Sequence, residues 1–326
     1  MKSQVIGIDI SKDTLDFCQL DPKAMSPLSK GVLENTSATI NEWLGKWHPD
    51  AVVFAVEHTG HYGALLLKCL CDKGFSLYMI NPLDLKRSLG IQRGKTDAKD
   101  AYRIAEYLIK NHYKLKPCEL PNGDLSRLKA LVAARERYVK MSVQVQNSLK
   151  ANQILTKSID VGPLILEEKK LYGAIQRAIK ETEGRMVTII KSNIKFKTTY
   201  DKITSVIGVG PIIAAKCIVE TQNFTRFEDP RKFSCHCGLA PFQYQSGSSV
   251  KGKTKTHFLR NRSMKAILIK GAITAIGHDP QLKAYYNRKI KEGKHPMSVK
   301  NAVANKIVLR IFAVVKRNEP YVKLAA

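Results

Sequence analysis

Four acids have the type and position for chemistry at a phosphodiester: Asp9, Glu57, Asp97 and Asp100. Asp9 stands near the end of the apolar run QVIGIDI, and Glu57 ends AVVFAVE. Strand ends are where sheets of α/β domains gather their sites. Asp97 and Asp100 are three apart in GKTDAKDA, a spacing that puts both on one face of a helix's first turns. Carboxylates brought together without basic partners repel. A hard divalent cation, Mg²⁺ or Mn²⁺, is the usual compensation, because such ions prefer oxygen ligands. Two of them can activate an attacking oxygen and stabilise a leaving one at phosphorus. Singly, each acid has a plainer reading: an acid at a strand end is commonplace, and Asp97 suits a helix N-cap.

A second segment with chemical potential is QSGSSVKGKTK, residues 245–255. Its small residues let a nucleic acid approach closely. Lys251, Lys253 and Lys255 can hold phosphates, and Arg260 and Arg262 follow. The same composition also fits a flexible, solvated loop. Upstream, Ile207-Gly208-Val209-Gly210-Pro211 precedes a helix, like the hairpin of a helix-hairpin-helix. There, Gly208 and Gly210 would let backbone N–H groups at a helix start reach a phosphate. A tight interhelical turn is the alternative. Cys69 and Cys71, and Cys235 and Cys237, each flank a single residue; no paired CxxC spacing occurs, so reduced thiols are expected, not a zinc site.

Charge narrows the partners. The 326 residues carry 54 Lys+Arg against 28 Asp+Glu, a formal net charge of +26, which fits a polyanion partner better than a small-molecule substrate. From Pro241 onward there are 18 Lys+Arg, and the acids are Asp279, Glu292 and Glu319, so this part should hold more of the phosphate contacts. No run of about 18 apolar residues suggests a membrane span. The apolar run in MKSQVIGIDISKDTLDF is too short for a secretory signal and contains an acid, so an intracellular protein is expected.

The elements that must position these residues follow from periodicity. QVIGIDI, TLDFCQL, AVVFAVE and FSLYMIN read as strands. Helices are expected around Trp43, Leu44 and Trp47, over about 61–73, and from about Asp97 to Lys110. The order predicts an α/β domain with a largely parallel sheet over 1–123. From 124 to 198 strand-like runs vanish. Leu125, Leu128, Leu131, Val132 and Val139 keep a helical stripe, Gly162-Pro163 breaks it, and a second helix follows from about Leu164 to Ile194. A helical hairpin or coiled coil is predicted as connector and dimerisation element. Residues 199–326 read as a mostly α-helical domain.

The ordered motifs resemble one family. GIDISKDTLD, VEHTGHY and INPLDLKRSLGIQRGKTDAKDA are similar to the acidic motifs of the IS110-family transposases, DEDD recombinases related to the Piv-type DNA invertases. His58 stands where that family usually has a small residue. SVIGVGPIIAAKCI and FEDPRKFSCHCGLAPFQYQSGSSVKGK resemble its C-terminal transposase segments, with Pro and Gly of the first shifted. The resemblance implies an RNase H-like (RuvC-like) N-terminal domain with Asp9, Glu57, Asp97 and Asp100 as catalytic Mg²⁺ ligands. It also implies Ser246 as the nucleophile, leaving a covalent phosphoserine on one DNA end; chemistry alone leaves Ser248 and Ser249 open. It further implies transposition of an insertion sequence, a mobile genetic element, in the bacterial cytoplasm at the nucleoid. Donor and target DNA would be paired by a structured noncoding bridge RNA, which leaves the protein to read shape and backbone. A homodimer would assemble into a synaptic tetramer. The serine and the carboxylates would fall in different domains, tying chemistry to assembly. Three alternatives use parts of the same constellation: a Piv-like invertase without guide RNA, a RuvC-like nuclease or Holliday-junction resolvase that uses water, and a nonenzymatic binding protein.

Overall fold

The computed structural model describes residues 4–58, 60–88, 90, 96–118, 123–246 and 250–322; of 243–246 and 250–254 the backbone alone is described. The chain divides into two compact units, Met1–Leu120 and Pro121–Ala326.

The first unit runs β1 (Gln4–Ile10), β2 (Thr14–Leu20), β3 (Pro27–Glu34), α1 (Ser37–Leu44), β4 (Val52–Glu57), α2 (Ala64–Asp72), β5 (Ser76–Ile80), α3 (Pro82–Ser88) and α4 (Asp97–Asn111). The strands form one sheet in the order β3-β2-β1-β4-β5. β1, β2 and β3 pair antiparallel, whereas β1–β4 and β4–β5 are parallel. The sheet is therefore mixed, not largely parallel as its element order suggested. The reason lies in the connections: short links after β1 and β2 can only fold back, while parallel pairing needs a crossover of a dozen residues or more. This is an RNase H-like arrangement.

Alternation along the strands fills two cores. Ile6, Ile8, Ile10, Leu15, Phe54 and Val56 pack with Leu66 and Leu70 of α2. Val5, Cys18, Leu20, Val53 and Ala55 pack with Ala101, Ile104, Ala105 and Leu108 of α4, a stripe at helical spacing.

The second unit contains α5 (Gly123–Leu155), α6 (Gly162–Ser192), α7 (Ile194–Thr204), α8 (Pro211–Thr221), α9 (Pro230–His236), β6 (Phe242–Ser246), β7 (Val250–Lys255), α10 (Arg262–His278), α11 (Pro280–Lys291) and α12 (Pro296–Arg317). α5 and α6 form an antiparallel hairpin. Bonds climb it rung by rung: Arg135–Glu183 at 2.6 Å, Ser142–Gln176 at 2.7 Å and Gln146–Tyr172 at 2.6 Å. Pro near the start of α6 suits a first helical turn, where its missing N–H is not needed. Leu125, Leu128, Val132, Met186 and Ile190 at the hairpin's base share one core with Ile213, Leu268, Ile307 and Ile311. The segment expected as a separate connector thus shares the second unit's core. Between α9 and α10 lies an antiparallel hairpin, β6–β7, within a domain expected to be mostly helical.

Candidate active site

Asp9 sits one residue before the end of β1, and α4 lies across the same face of the sheet. Gly7 makes that approach possible. A Cβ there would stand 2.2 Å from the Ala101 carbonyl oxygen and 2.5 Å from the Ala105 nitrogen. No side chain larger than hydrogen fits, so α4 can rest its backbone on β1. Thr96 caps the helix, its hydroxyl accepting from the Lys99 N–H. The first turn of α4 then brings Asp97 and Asp100 to Asp9. One carboxylate oxygen from each lies within 4.8 Å of the others.

Glu57 is not part of this group among the described residues. It ends β4, and Ile8 pairs with Val56 in parallel register, so Glu57 and Asp9 occupy the next positions of neighbouring strands. Asp100 also meets Arg103, 2.9 Å away, which offsets part of the negative charge.

A fifth acid belongs to this face. Asp16 on β2 is the register partner of Asp9, and opposed residues of an antiparallel pair project to the same side. Burial, and then the Asp97 carboxylate, push its carboxyl above the usual carboxylate range. The alternation of TLDFCQL held the signal, since it sets Asp16 on one face with Cys18 and Leu20. A cluster of acids with one pushed toward its neutral form is a set of oxygen donors gathered against their mutual repulsion. That is the chemistry a hard divalent cation satisfies.

In the second unit, Ser246 ends β6 opposite Val250, while Gly247, Ser248 and Ser249 lie outside the described residues, as does Thr59 in the first. Lys251 and Lys253 lie along β7, Lys255 is exposed at its end, and Arg262 is exposed where α10 begins. Arg260 is half-buried.

The two glycines of the α7–α8 turn differ. Gly208 has φ +89°, and a Cβ there would be 2.4 Å from the Gly271 carbonyl oxygen of α10. Its smallness serves contact between the turn and the unit's own helix. Gly210 is exposed, has open space around its Cα, and precedes α8 with no side-chain cap. A cavity of about 850 Å³ opens beside it, with Lys140 and Lys270 in its lining.

Three charged groups in the interior of this unit are paired. Lys216, only 2% exposed, bonds to Glu136 and donates to Ser263 Oγ at 2.6 Å. Asp279 meets Arg310 at 2.5 Å, and Glu220 meets His236 at 3.1 Å. Burial pushes the Cys217 thiol up to about 12 and raises Cys237 as well, so both are inert packing groups. Among the described residues no metal-binding group includes a cysteine.

An acidic cluster on a mixed five-stranded sheet, in a chain this basic, fits a metal-dependent enzyme that works on nucleic acid. Residues 6–157 match the DEDD transposase model of IS110 type, and residues 200–287 match the transposase IS116/IS110/IS902 family. The chain belongs to the IS110 family of transposases. It is 22% identical to the pilin gene-inverting protein of Moraxella lacunata over 99% of both chains. It is 29% identical to an uncharacterised protein of insertion element IS110 of Streptomyces coelicolor, covering 95% of this chain and 93% of that one. The transposase for insertion sequence element IS1111A of Coxiella burnetii is 22% identical, with 98% and 91% covered. The solved Thermus thermophilus RuvC in complex with a Holliday junction substrate covers 35% of this chain and 99% of that chain, at 16% identity and a TM-score of 0.28. Among the described residues no helix is long and apolar enough to cross a membrane.

Proposed function

We propose that this protein is a bridge-RNA-guided transposase that cuts and rejoins DNA strands through a Mg²⁺-binding acidic site and a serine nucleophile. The observation that carries the reading is the convergence of Asp9, Asp97 and Asp100 within 4.8 Å, built by a helix that Gly7 lets onto the strand. Asp9, Asp97 and Asp100 would hold the cation, with Glu57 completing the set from the neighbouring strand. A bound divalent ion supplies charge stabilisation at the phosphoryl oxygens.

Ser246 supplies the nucleophile in this reading. Its Oγ forms a bond to phosphorus as the bond to the leaving deoxyribose oxygen breaks, and that oxygen takes up a proton. The phosphoserine keeps the bond energy, so an incoming strand hydroxyl can reverse the step without an external energy source. Lys251, Lys253, Lys255, Arg260 and Arg262 would hold the DNA backbone. Gly210, at the exposed start of α8, offers a phosphate site flanked by Lys140 and Lys270. Gly208 would contribute as the pivot of that turn.

The α5–α6 hairpin is the proposed dimerisation element, with two dimers forming the synaptic tetramer. Near its tip, Ile154, Leu155, Ile159, Leu164 and Leu166 are exposed, apolar surface that a second copy could cover.

A specific observation favours a second reading, the inversion of a DNA segment without guide RNA: the Moraxella pilin gene-inverting protein matches over 99% of both chains. Sequencing RNA that copurifies with the active enzyme, then assaying after ribonuclease treatment, separates the two. The transposase reading predicts a discrete structured RNA whose removal abolishes recombination; full activity without RNA supports inversion. Recombination by a Ser246→Ala protein at the wild-type rate would rule out the covalent serine and favour a nuclease that uses water.

A further inference from the structure

Beyond the hairpin that carries Ser246, the chain makes a turn that displays apolar side chains in the most basic part of the molecule. Phe258 is 60% exposed and Leu259 55%, and Phe242, at the start of β6, is 51% exposed. The His257 ring lies against Phe258 with centroids 4.6 Å apart. Apolar side chains grouped on one exposed turn, unlike scattered ones, are a common mark of an interaction surface.

The turn is held in shape from beneath. The Leu259 N–H donates to His257 Nδ1 at 3.2 Å, and both the backbone N–H and the guanidinium of Arg260 donate to the His257 carbonyl at 3.2 Å. The Arg260 stem lies across Gly238, where an added Cβ would be 2.3 Å from Arg260 Cδ. The Asn261 N–H donates to the His236 carbonyl at 2.8 Å, and Lys265 donates to the Gly238 carbonyl at 2.8 Å. Asn261 then caps α10. A turn fixed this well presents Phe258 outward with little ordering left to do on binding.

The surroundings select the partner. Lys255, Arg260 and Arg262 flank the turn. Of the three acids beyond Pro241, Asp279 is bonded to Arg310 and Glu292 to Lys289. An exposed aromatic ring amid cations suits a base beside its phosphates, through stacking or insertion between base steps. From Val250, the partner of Ser246, β7 runs five steps to Lys255, about 17 Å at about 3.3 Å per residue. That is about half a turn of duplex, at about 34 Å per turn.

We propose that Phe258, supported by His257 and Leu259, is a base-stacking wedge that engages DNA within about one helical turn of the phosphate presented to Ser246. The proposal rests on the reading of this protein as a DNA recombinase with Ser246 at the reacting phosphate.

The test is anisotropy titration of the full-length protein with a labelled 20-nucleotide DNA strand, its duplex and the RNA strand of the same sequence, across a salt series. Stacking of one base is worth roughly 1–3 kcal/mol. Phe258→Ala is therefore expected to weaken binding to the DNA strand about tenfold, equivalent to about 1.4 kcal/mol. The salt slope should stay unchanged, and Phe258→Trp should restore affinity to within about twofold, the ring being what matters. Lys255→Ala should instead lower the salt slope by about one. Unchanged affinity in Phe258→Ala, no rescue by tryptophan, or a larger loss on RNA than on DNA overturns the proposal. So does a lower molecular mass by light scattering, which would make the turn a contact between copies. Loss of DNA affinity in Phe258→Ala beside normal recombination by Ser246→Ala would keep the wedge and reject the serine reading instead.

Discussion

The two units treat acids in opposite ways. In the first, Asp9, Asp97 and Asp100 converge, Asp16 is the register partner of Asp9, and Arg103 pairs with Asp100. In the second, buried and half-buried acids are spread out and several meet a cation: Glu136 with Lys216, Glu183 with Arg135, Glu220 with His236, Asp279 with Arg310. Paired charges hold structure together. Gathered like charges work against folding and are retained where they bind something. On the proposed reading the less basic unit holds the divalent cation, and the strongly basic unit grips DNA and supplies Ser246.

The largest effect should come from emptying the acidic centre. Asp9→Ala or Asp97→Ala is expected to lower recombination at least about a thousandfold, roughly 4 kcal/mol of lost transition-state stabilisation. Melting in chelator should show the fold intact or slightly more stable. A large loss of stability would make these acids structural, like those of the second unit.

Breaking a pair in the second unit should do the reverse. Glu136→Gln removes the carboxylate bonded to the buried Lys216 ammonium, leaving it with Ser263 and the charge of Glu220, which should destabilise by roughly 3–5 kcal/mol. Chemical denaturation measures it. A change below about 1 kcal/mol would place this pair with exposed ion pairs. Gly7→Ala comes next: it forces α4 off β1 and should cost about 1–3 kcal/mol together with most of the activity.

The pH dependence of stability should differ in sign between the units. Burial raises the Glu220 carboxyl, but its hydrogen bond and charge interaction with His236, with Asn261 and Lys216, outweigh it and hold Glu220 below its ordinary 4.5. Its contribution is present above 4.5 and is lost as pH falls through the lower folded value. Asp16 is raised above its ordinary 3.8, so the folded state retains the proton longer. Its penalty is absent below 3.8 and grows as pH rises through the raised value. Glu220→Gln should flatten the acid limb of a melting curve. Asp16→Asn should raise the melting temperature at neutral pH in chelator, and Mg²⁺ should shrink that gain. The smallest effect is at single lysines: Lys251→Ala should reduce the salt slope of DNA binding by about one.

Much of the centre was legible because its parts are local. Apolar strands ending near Asp9 and at Glu57, and two acids three apart at a helix start, need only short-range pattern, although the cap is Thr96 and not Asp97 as expected. The α5–α6 hairpin was equally clear from a sustained stripe. What was not legible depends on pairing across the chain. Pro27–Glu34 is mostly exposed and carries no apolar periodicity, so β3 went unseen and the sheet's mixed direction with it. The β6–β7 hairpin joins two short strands, FQYQS and VKGKTK, across a Ser- and Gly-rich stretch, and that stretch reads as a loop. Asp16 gains meaning only from its register with Asp9, and Gly7 only from a helix that begins ninety residues later.

The central claim is that the first unit's acids form a divalent-ion site and the second unit's do not. Titration of the protein with Mn²⁺, followed by the loss of the free ion's electron paramagnetic resonance signal, tests it directly. The account predicts saturable binding in the wild type, its loss in Asp9→Asn, Asp97→Asn and Asp100→Asn, and wild-type binding in Glu220→Gln. Binding that survives all three aspartate changes, or that disappears with Glu220→Gln, would contradict it.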